Sequence, residues 1–205
     1  QKSDTIGARE AAPRNEVNEK MSIKHHLTDE ILMAYSAGTL PEAFNLIVAT
    51  HLSMCDECRA AAASFDAVGG AMLDSNEMAT ISDGAFKATL KLISEMPKDA
   101  IKTEREYKPG IFPTPLQDYV GGDLDSVQWR SVGMGVKQAV LKTSKEASVR
   151  LLYIPAGAAM PDHSHKGKEM TLVLQGAFSD EDGRFARGDV EVADQELHHH
   201  PVAEM

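Results

Sequence analysis

The sequence lacks most features that mark membrane, secreted or nucleic-acid-binding proteins. Among its 205 residues no apolar run is long enough to span a bilayer, and there is no apolar signal segment. No Lys/Arg-rich run occurs and the formal net charge is −10, which argues against direct nucleic-acid binding because phosphate contacts need a positive surface. An acidic surface instead suits a basic protein partner.

Cysteine is also scarce, since the chain has only the pair Cys55 and Cys58. A C-x₂-C pair beside a histidine is not typical of a disulfide framework and favours a reducing, cytoplasmic compartment. His51 lies four residues before Cys55, so on a helix the two side chains share one face, and Cys58 can close on the same point. These soft N and S donors favour zinc, and a closed structural site needs a fourth ligand.

The fourth ligand has two upstream candidates, His25 and His26. Either histidine precedes the first predicted helix and can complete a His₂Cys₂ tetrahedron. Two alternatives stay open: the cysteines can be small buried hydrophobes beside a core histidine, or they can form a redox dithiol. The redox alternative is disfavoured because no β-α-β pattern surrounds the pair.

Hydrophobic spacing and composition divide the chain into four parts. We predict a disordered arm, a helical domain, a linker rich in charge and proline, and an all-β domain, over residues 1–20, 21–97, 98–115 and 116–205. Met21 is either the start codon or an internal residue behind a native tail. The fold class is therefore α+β with two domains.

Four helices are predicted in the helical domain. Thr28 caps the first and Gly38 ends it, while the third begins near Asp56 and ends at Gly69–Gly70. The fourth begins at Ser82, ends before Pro97, and carries an apolar stripe of Phe86, Leu90 and Ile93.

The β-type half carries a second group of possible metal ligands. Its pattern is Gly157-x₅-His163-x-His165-x₃-Glu169-x₆-Gly176, and positions i and i+2 of a strand face the same side. One of His198, His199 and His200 can add a third imidazole, and this donor set suits Zn²⁺, Fe²⁺ or Mn²⁺. The alternative is two surface histidines in a turn.

The spacing in the β-type half matches the first motif of the cupins at every fixed position. A second cupin motif, opening at Gly188-Asp189, is looser because Ala186 and Arg187 precede the glycine without the usual proline. The resemblance implies a double-stranded β-helix barrel.

His51-x₃-Cys55-x₂-Cys58, preceded by His26 within short helices, resembles the zinc-binding anti-sigma factors of the ChrR type, which carry a C-terminal cupin domain. The resemblance implies four zinc ligands in the helical domain and four ligands for zinc or another divalent metal in the cupin domain. By position these are His26, His51, Cys55 and Cys58, and His163, His165, Glu169 and His199. Family members continue with further strands, so we expect the barrel to lack an edge or the sequence to be truncated.

The resemblance also implies a function. The helical domain of this family holds one extracytoplasmic-function (ECF) sigma factor and blocks its binding to RNA polymerase, with zinc ordering the domain. The Phe86–Leu90–Ile93 stripe either contacts sigma or packs on the other three helices. The cupin domain is expected to act in release under singlet oxygen or organic hydroperoxide, without catalysis. The alternative is a metal-dependent cupin enzyme, a dioxygenase or isomerase, with a helical accessory domain.

Overall fold

The structure is a computed structural model that describes residues 22–96, 109–159, 167–193 and 200–205. The predicted arm and most of the predicted linker lie outside the described residues. No helix in the described ranges has an apolar stretch long enough to cross a bilayer.

Five α-helices lie in the described residues: α1 Asp29–Ser36, α2 Glu42–Leu52, α3 Asp56–Asp74, α4 Ala85–Glu95 and α5 Thr114–Val120. The first four follow the predicted helical pattern, whereas α5 crosses the predicted boundary between linker and β-type half. Its sequence contains Pro115 in the first turn, and Gly121 ends it at φ +88°. Proline is compatible with the first turn of a helix, so prolines that indicated a linker start a helix instead.

Helix α1 begins and ends as its sequence predicts. Thr28 is the N-cap residue in extended conformation, and Asp29 and Glu30 fill the first turn. Gly38 follows the C-cap at φ +67°, the left-handed conformation that glycine adopts without a steric penalty.

The predicted end of the third helix is wrong. Gly69 and Gly70 lie inside α3, which continues to Asp74. Each internal glycine costs about 1 kcal/mol relative to alanine, which a long helix tolerates. Helix α4 begins later than predicted, with Gly84 rather than Ser82 at the N-cap position.

The described part of the chain then has eight strands: β1 Arg130–Gly133, β2 Val136–Leu141, β3 Val149–Tyr153, β4 Glu169–Leu172, β5 Ala177–Asp180, β6 Gly183–Ala186, β7 Val190–Ala193 and β8 Val202–Ala203. The pairings are antiparallel and give sheets of order β1-β2-β3, β4-β7 and β6-β5-β8. The two-part α+β organisation is confirmed. The described strands form separate sheets and not the closed barrel that was predicted.

Two apolar clusters join the helical half to the β-type half. In one, Leu32 and Val48 share a core with Met170 and Val190, and both cysteines belong to it. In the other, Leu46 packs with Leu116 and Leu151. The buried residues of α1 and α2 therefore share a continuous core with the sheets.

We predict that Leu116→Ala lowers the free energy of unfolding by about 2–5 kcal/mol, because Leu116 is 4% exposed in the second cluster. The matched control Leu73→Ala removes a side chain that is 72% exposed and should change it by less than about 0.5 kcal/mol.

Urea unfolding, followed by Trp129 fluorescence and by helical circular dichroism, makes this measurement. Trp129 packs against the same cluster and is the single tryptophan. Both signals should shift together in Leu116→Ala. A shift in fluorescence alone would contradict a core shared by the two halves.

Candidate metal centre

Three segments of the helical half bring the predicted donor residues together. His26 lies in the extended segment before α1, and His51 lies in the last turn of α2. Cys55 is the N-cap residue of α3, and Cys58 lies in its first turn. We call His26, His51, Cys55 and Cys58 the metal centre.

The turn between α2 and α3 keeps the helical spacing that the sequence predicts for His51 and Cys55. The Cys55 amide donates to the His51 carbonyl oxygen at 2.9 Å, which is the i to i+4 bond of an α-helix. Helix α3 then starts in a new direction, with the Cys58 amide donating to the Cys55 sulfur at 3.4 Å. Local backbone geometry therefore brings His51 and the two thiols together.

The donor atoms have spacings suitable for a four-coordinate ion. His26 Nδ1 lies 3.3 Å from Cys55 Sγ and 3.5 Å from Cys58 Sγ. One donor atom from each of the four residues lies within 4.8 Å of the others. With metal–ligand bonds of about 2.0–2.3 Å, tetrahedral zinc has donor–donor edges of about 3.3–3.8 Å. The group can therefore hold a metal ion after small adjustments.

The buried imidazole of His51 provides a separate test of this assignment. The ring is fully buried, and its Nδ1 lies 2.8 Å from the Gly188 carbonyl oxygen. A carbonyl oxygen can only accept, so Nδ1 carries the proton and Nε2 presents a lone pair. Nε2 is buried and has no hydrogen-bond partner among the described residues. Such an atom costs about 1–3 kcal/mol unless something coordinates it, and a metal ion would.

Burial sets the protonation of two of the donors. It lowers the pKa of His51, against the opposing effect of the Gly188 hydrogen bond, and so favours the neutral imidazole that metals need. Burial also raises the pKa of the Cys58 thiol to about 11. A metal that binds there must displace the thiol proton, as thiolate ligation requires.

His26 has the outer partner expected of a metal-ligating histidine. Its Nδ1 faces the thiols, and its Nε2 lies 3.5 Å from the Glu57 carboxylate. A carboxylate near the outer nitrogen favours the ring orientation that a metal-ligating histidine needs.

The geometry distinguishes the two adjacent histidines that the residue pattern left open. The His25 ring stacks against Phe185, with centroids 4.1 Å apart, and its Nε2 lies 3.2 Å from the Arg184 carbonyl oxygen. His25 therefore faces the β-type half, while His26 faces the cysteines.

The centre has the chemistry of a structural zinc site. A His₂Cys₂ set leaves no open coordination position, and both cysteines and His51 are buried. Bound zinc would supply a cross-link between the segment before α1, the end of α2 and the start of α3. Its role as a zinc site stays a prediction.

The comparison with characterised proteins is decisive for the family. The chain is 52% identical over 184 residues to the anti-sigma-E factor ChrR of Cereibacter sphaeroides, covering 90% of this chain and 85% of that protein. The chain belongs to the ChrR family of anti-sigma factors. This membership confirms the predicted resemblance, and that relative is an anti-sigma factor and not an enzyme.

Two further matches agree with the ChrR family. The family model of the ChrR cupin-like domain matches residues 117–205. A crystal structure of Rhodobacter sphaeroides SigE in complex with the anti-sigma ChrR matches with 51% identity and a TM-score of 0.76, covering 89% of this chain and 93% of that chain. KdgF from Halomonas sp. matches with 27% identity over 40% of this chain and 80% of that chain, at a TM-score of 0.37.

The predicted ligands of the cupin-like half are mostly outside the described residues. His163, His165 and His199 all fall there. Glu169 is exposed at the start of β4, opposite Ala193 of β7. Within the described part of the chain, the metal centre is the one group of His, Cys, Asp and Glu side chains with metal-binding spacing. The cupin ligand set therefore stays a prediction.

The predicted apolar stripe lies on the surface of α4. Phe86, Leu90 and Ile93 are 72%, 49% and 60% exposed, and no residue of α4 is buried. The sequence left open that the stripe packs on the other three helices. The structure does not show such packing, because the stripe is exposed.

Sequence reasoning missed the contribution of Gly188 and Asp189 to the metal centre. Their Gly-Asp pair was identified as part of the second cupin motif, but its contact with His51 spans 137 residues of sequence. The available signal was the pair itself, because a glycine before an aspartate indicates a tight turn that can approach another backbone closely.

We predict that His26→Asn lowers the zinc content by one ion per chain, because Asn offers no imidazole to a site that needs four donors. The matched control His25→Asn removes a ring outside the centre and should keep the zinc. Metal analysis of the purified full chains makes the comparison. Equal zinc in both variants, or loss only in His25→Asn, would contradict the assignment.

Proposed function

We propose that the protein is an anti-sigma factor that binds one ECF sigma factor and keeps it from RNA polymerase. The solved relative named above is a ChrR protein in complex with SigE, and its fold matches this chain over most of its length. The proposal gives the helical half the task of binding sigma and places the protein in the cytoplasm, where a sigma factor meets the polymerase. Direct contact with nucleic acid has no part in it.

The observation that carries the proposal is an apolar helix surface. Helix α3 has 19 residues, but its buried side chains, Cys58 and Ala62, lie in its first two turns. The later turns of α3, together with α4, expose large apolar side chains: Val68, Met72, Leu73, Phe86, Leu90, Leu92 and Ile93. Large apolar side chains left exposed in such number on two helices of a folded chain are typical of protein–protein interfaces.

The metal centre supports the same proposal by its position. Cys55 and Cys58 form the start of α3, so an ion held there would fix the direction in which the helix leaves the core. The exposed turns of α3 lie further along the same helix. We propose zinc as the ion, with His26, His51, Cys55 and Cys58 as ligands, and an architectural role for it.

The finer parts of the proposal concern the cupin-like half. We propose that residues 21–97 form the sigma-binding domain, that residues 98–115 link it to the cupin-like domain of residues 116–205, and that further pairing closes the strands into a barrel. His163, His165, Glu169 and His199 would hold zinc or another divalent metal. Singlet oxygen or organic hydroperoxide acting there would release sigma.

We predict that Phe86→Ala weakens sigma binding by about 30-fold, or about 2 kcal/mol, as expected for a buried aromatic anchor of an interface. Leu90→Ala and Ile93→Ala should act in the same direction. The control Lys87→Ala truncates a long side chain on another face of α4 and should leave the dissociation constant nearly unchanged. Binding of the purified full chain to its sigma factor is measured by calorimetry. Equal effects of Phe86→Ala and Lys87→Ala would contradict the proposed surface.

We predict that His163→Ala and Glu169→Ala keep sigma inhibited but blunt its release, because they remove proposed ligands of the cupin-like half and leave all four residues of the metal centre in place. Glu146→Ala, which truncates an exposed carboxylate elsewhere in the β-type half, is the control. A sigma-dependent reporter is measured with and without singlet oxygen. Constitutive release by either ligand variant would show that the cupin site does more than sense.

A further inference from the structure

The turn between β6 and β7 meets the metal centre at a junction of four hydrogen bonds. The Gly188 carbonyl oxygen accepts from His51 at 2.8 Å. Asp189 Oδ1 accepts from the backbone amides of Lys24 at 2.6 Å and His25 at 2.9 Å. The Val190 amide then donates to the His25 carbonyl oxygen at 3.2 Å. One turn of the cupin-like half thus holds both the His51 ring and the segment that carries His26.

Asp189 is a buried residue whose carboxylate joins two backbone segments. It is 2% exposed, and its second oxygen accepts from the Ala186 amide at 2.7 Å within its own turn. The carboxylate therefore ties its own turn to two successive amides immediately before His26. Hydrogen bonds from amides to a carboxylate are shorter and stronger than neutral ones. The Asp189 carboxylate therefore fixes both its own turn and the backbone just before His26.

Gly188 is required by space as well as by conformation. Its φ is +94°, in the left-handed region, and an added Cβ would lie 2.6 Å from Cδ1 of Ile23. The absence of a side chain allows the turn to approach the segment before α1 closely enough for its carbonyl to reach His51.

We propose that Gly188 and Asp189 are positioning residues of the metal centre. Metal affinity in the helical half then depends on how the cupin-like half packs against it. The inference rests on the metal role proposed above. Gly188 fixes the His51 tautomer that presents Nε2 to the ion, and Asp189 fixes the backbone that aims His26. Because coupling between two sites is reciprocal, a bound ion also tightens the junction. A change in the cupin-like half can thereby reach the start of α3.

The test uses Co²⁺ as the probe in the full-length chain. Cobalt bound by thiolate shows a sulfur-to-metal charge-transfer band, and the chain's only cysteines are in the metal centre. The band therefore reports this centre and is silent on any cobalt bound elsewhere. Titration against a competing chelator gives the affinity, and urea unfolding of each metal-free variant reports its stability.

Each variant has a matched control. Asp189→Asn is compared with Asp123→Asn, because Asp123 also accepts from two successive amides, those of Ile111 at 2.8 Å and Phe112 at 3.0 Å. Gly188→Ala is compared with Gly176→Ala, which has a similar φ of +74° and open space for a Cβ. Asp123→Asn weakens an equivalent pair of amide-to-carboxylate hydrogen bonds, and Gly176→Ala imposes a similar backbone strain. Both controls lie away from His51 and His26.

Asp189→Asn and Gly188→Ala should weaken Co²⁺ binding at the thiolate centre about 10-fold to 100-fold, the usual effect of losing an outer partner of a ligand. Asp123→Asn and Gly176→Ala should leave the affinity unchanged, even where they lower stability. If Asp189→Asn does not fold, Gly188→Ala with its control decides the question. Wild-type affinity in both junction variants, or equal losses in variants and controls, overturns the inference. A wild-type chain without the charge-transfer band would instead overturn the proposed metal centre.

Discussion

The structure depends on the requirement that both ring nitrogens of the fully buried His51 be satisfied. Nδ1 donates to the Gly188 carbonyl oxygen, and Nε2 has no protein partner in the described structure. The first contact draws the turn between β6 and β7 against the end of α2. The second leaves a lone pair beside two thiols, which a soft metal ion would satisfy. One side chain thus links the sheets to the metal centre.

Packing around His51 contrasts with packing at the far end of α3. Near the centre, Val48, Cys55 and Cys58 share a core with Met170 and Val190 of the strands. Further along α3, Met72 and Leu73 are 67% and 72% exposed. The large apolar residues of α4 are exposed to a similar degree. The helical half therefore packs against the sheets around the metal centre. The later turns of α3 and helix α4 leave apolar side chains available to a partner. This division agrees with a chain whose relative is an anti-sigma factor.

The sequence predicts those parts of the centre that depend on local geometry. His51, Cys55 and Cys58 lie within eight residues, and helical spacing alone brings them together. The choice between His25 and His26 needed either the family resemblance or the fold, because adjacent residues differ only in the direction of their side chains.

Errors arose where a glycine or proline signal was given too much weight, and where a contact joins distant parts of the chain. Gly69 and Gly70 lie within α3, although a glycine pair usually ends a helix. Pro115 begins α5 in a segment that its composition marks as linker. The bond between His51 and Gly188 joins residues 137 apart, and no local pattern predicts such a contact.

The most direct measurement of the central claim is the binding of the intact chain to its sigma factor in zinc-loaded and chelator-stripped form. Size-exclusion chromatography with metal analysis follows both the complex and the ion. We predict a one-to-one complex with zinc, loss of the complex on stripping, and its return when zinc is restored. Equal binding by the stripped chain, or no binding by the loaded one, would contradict it.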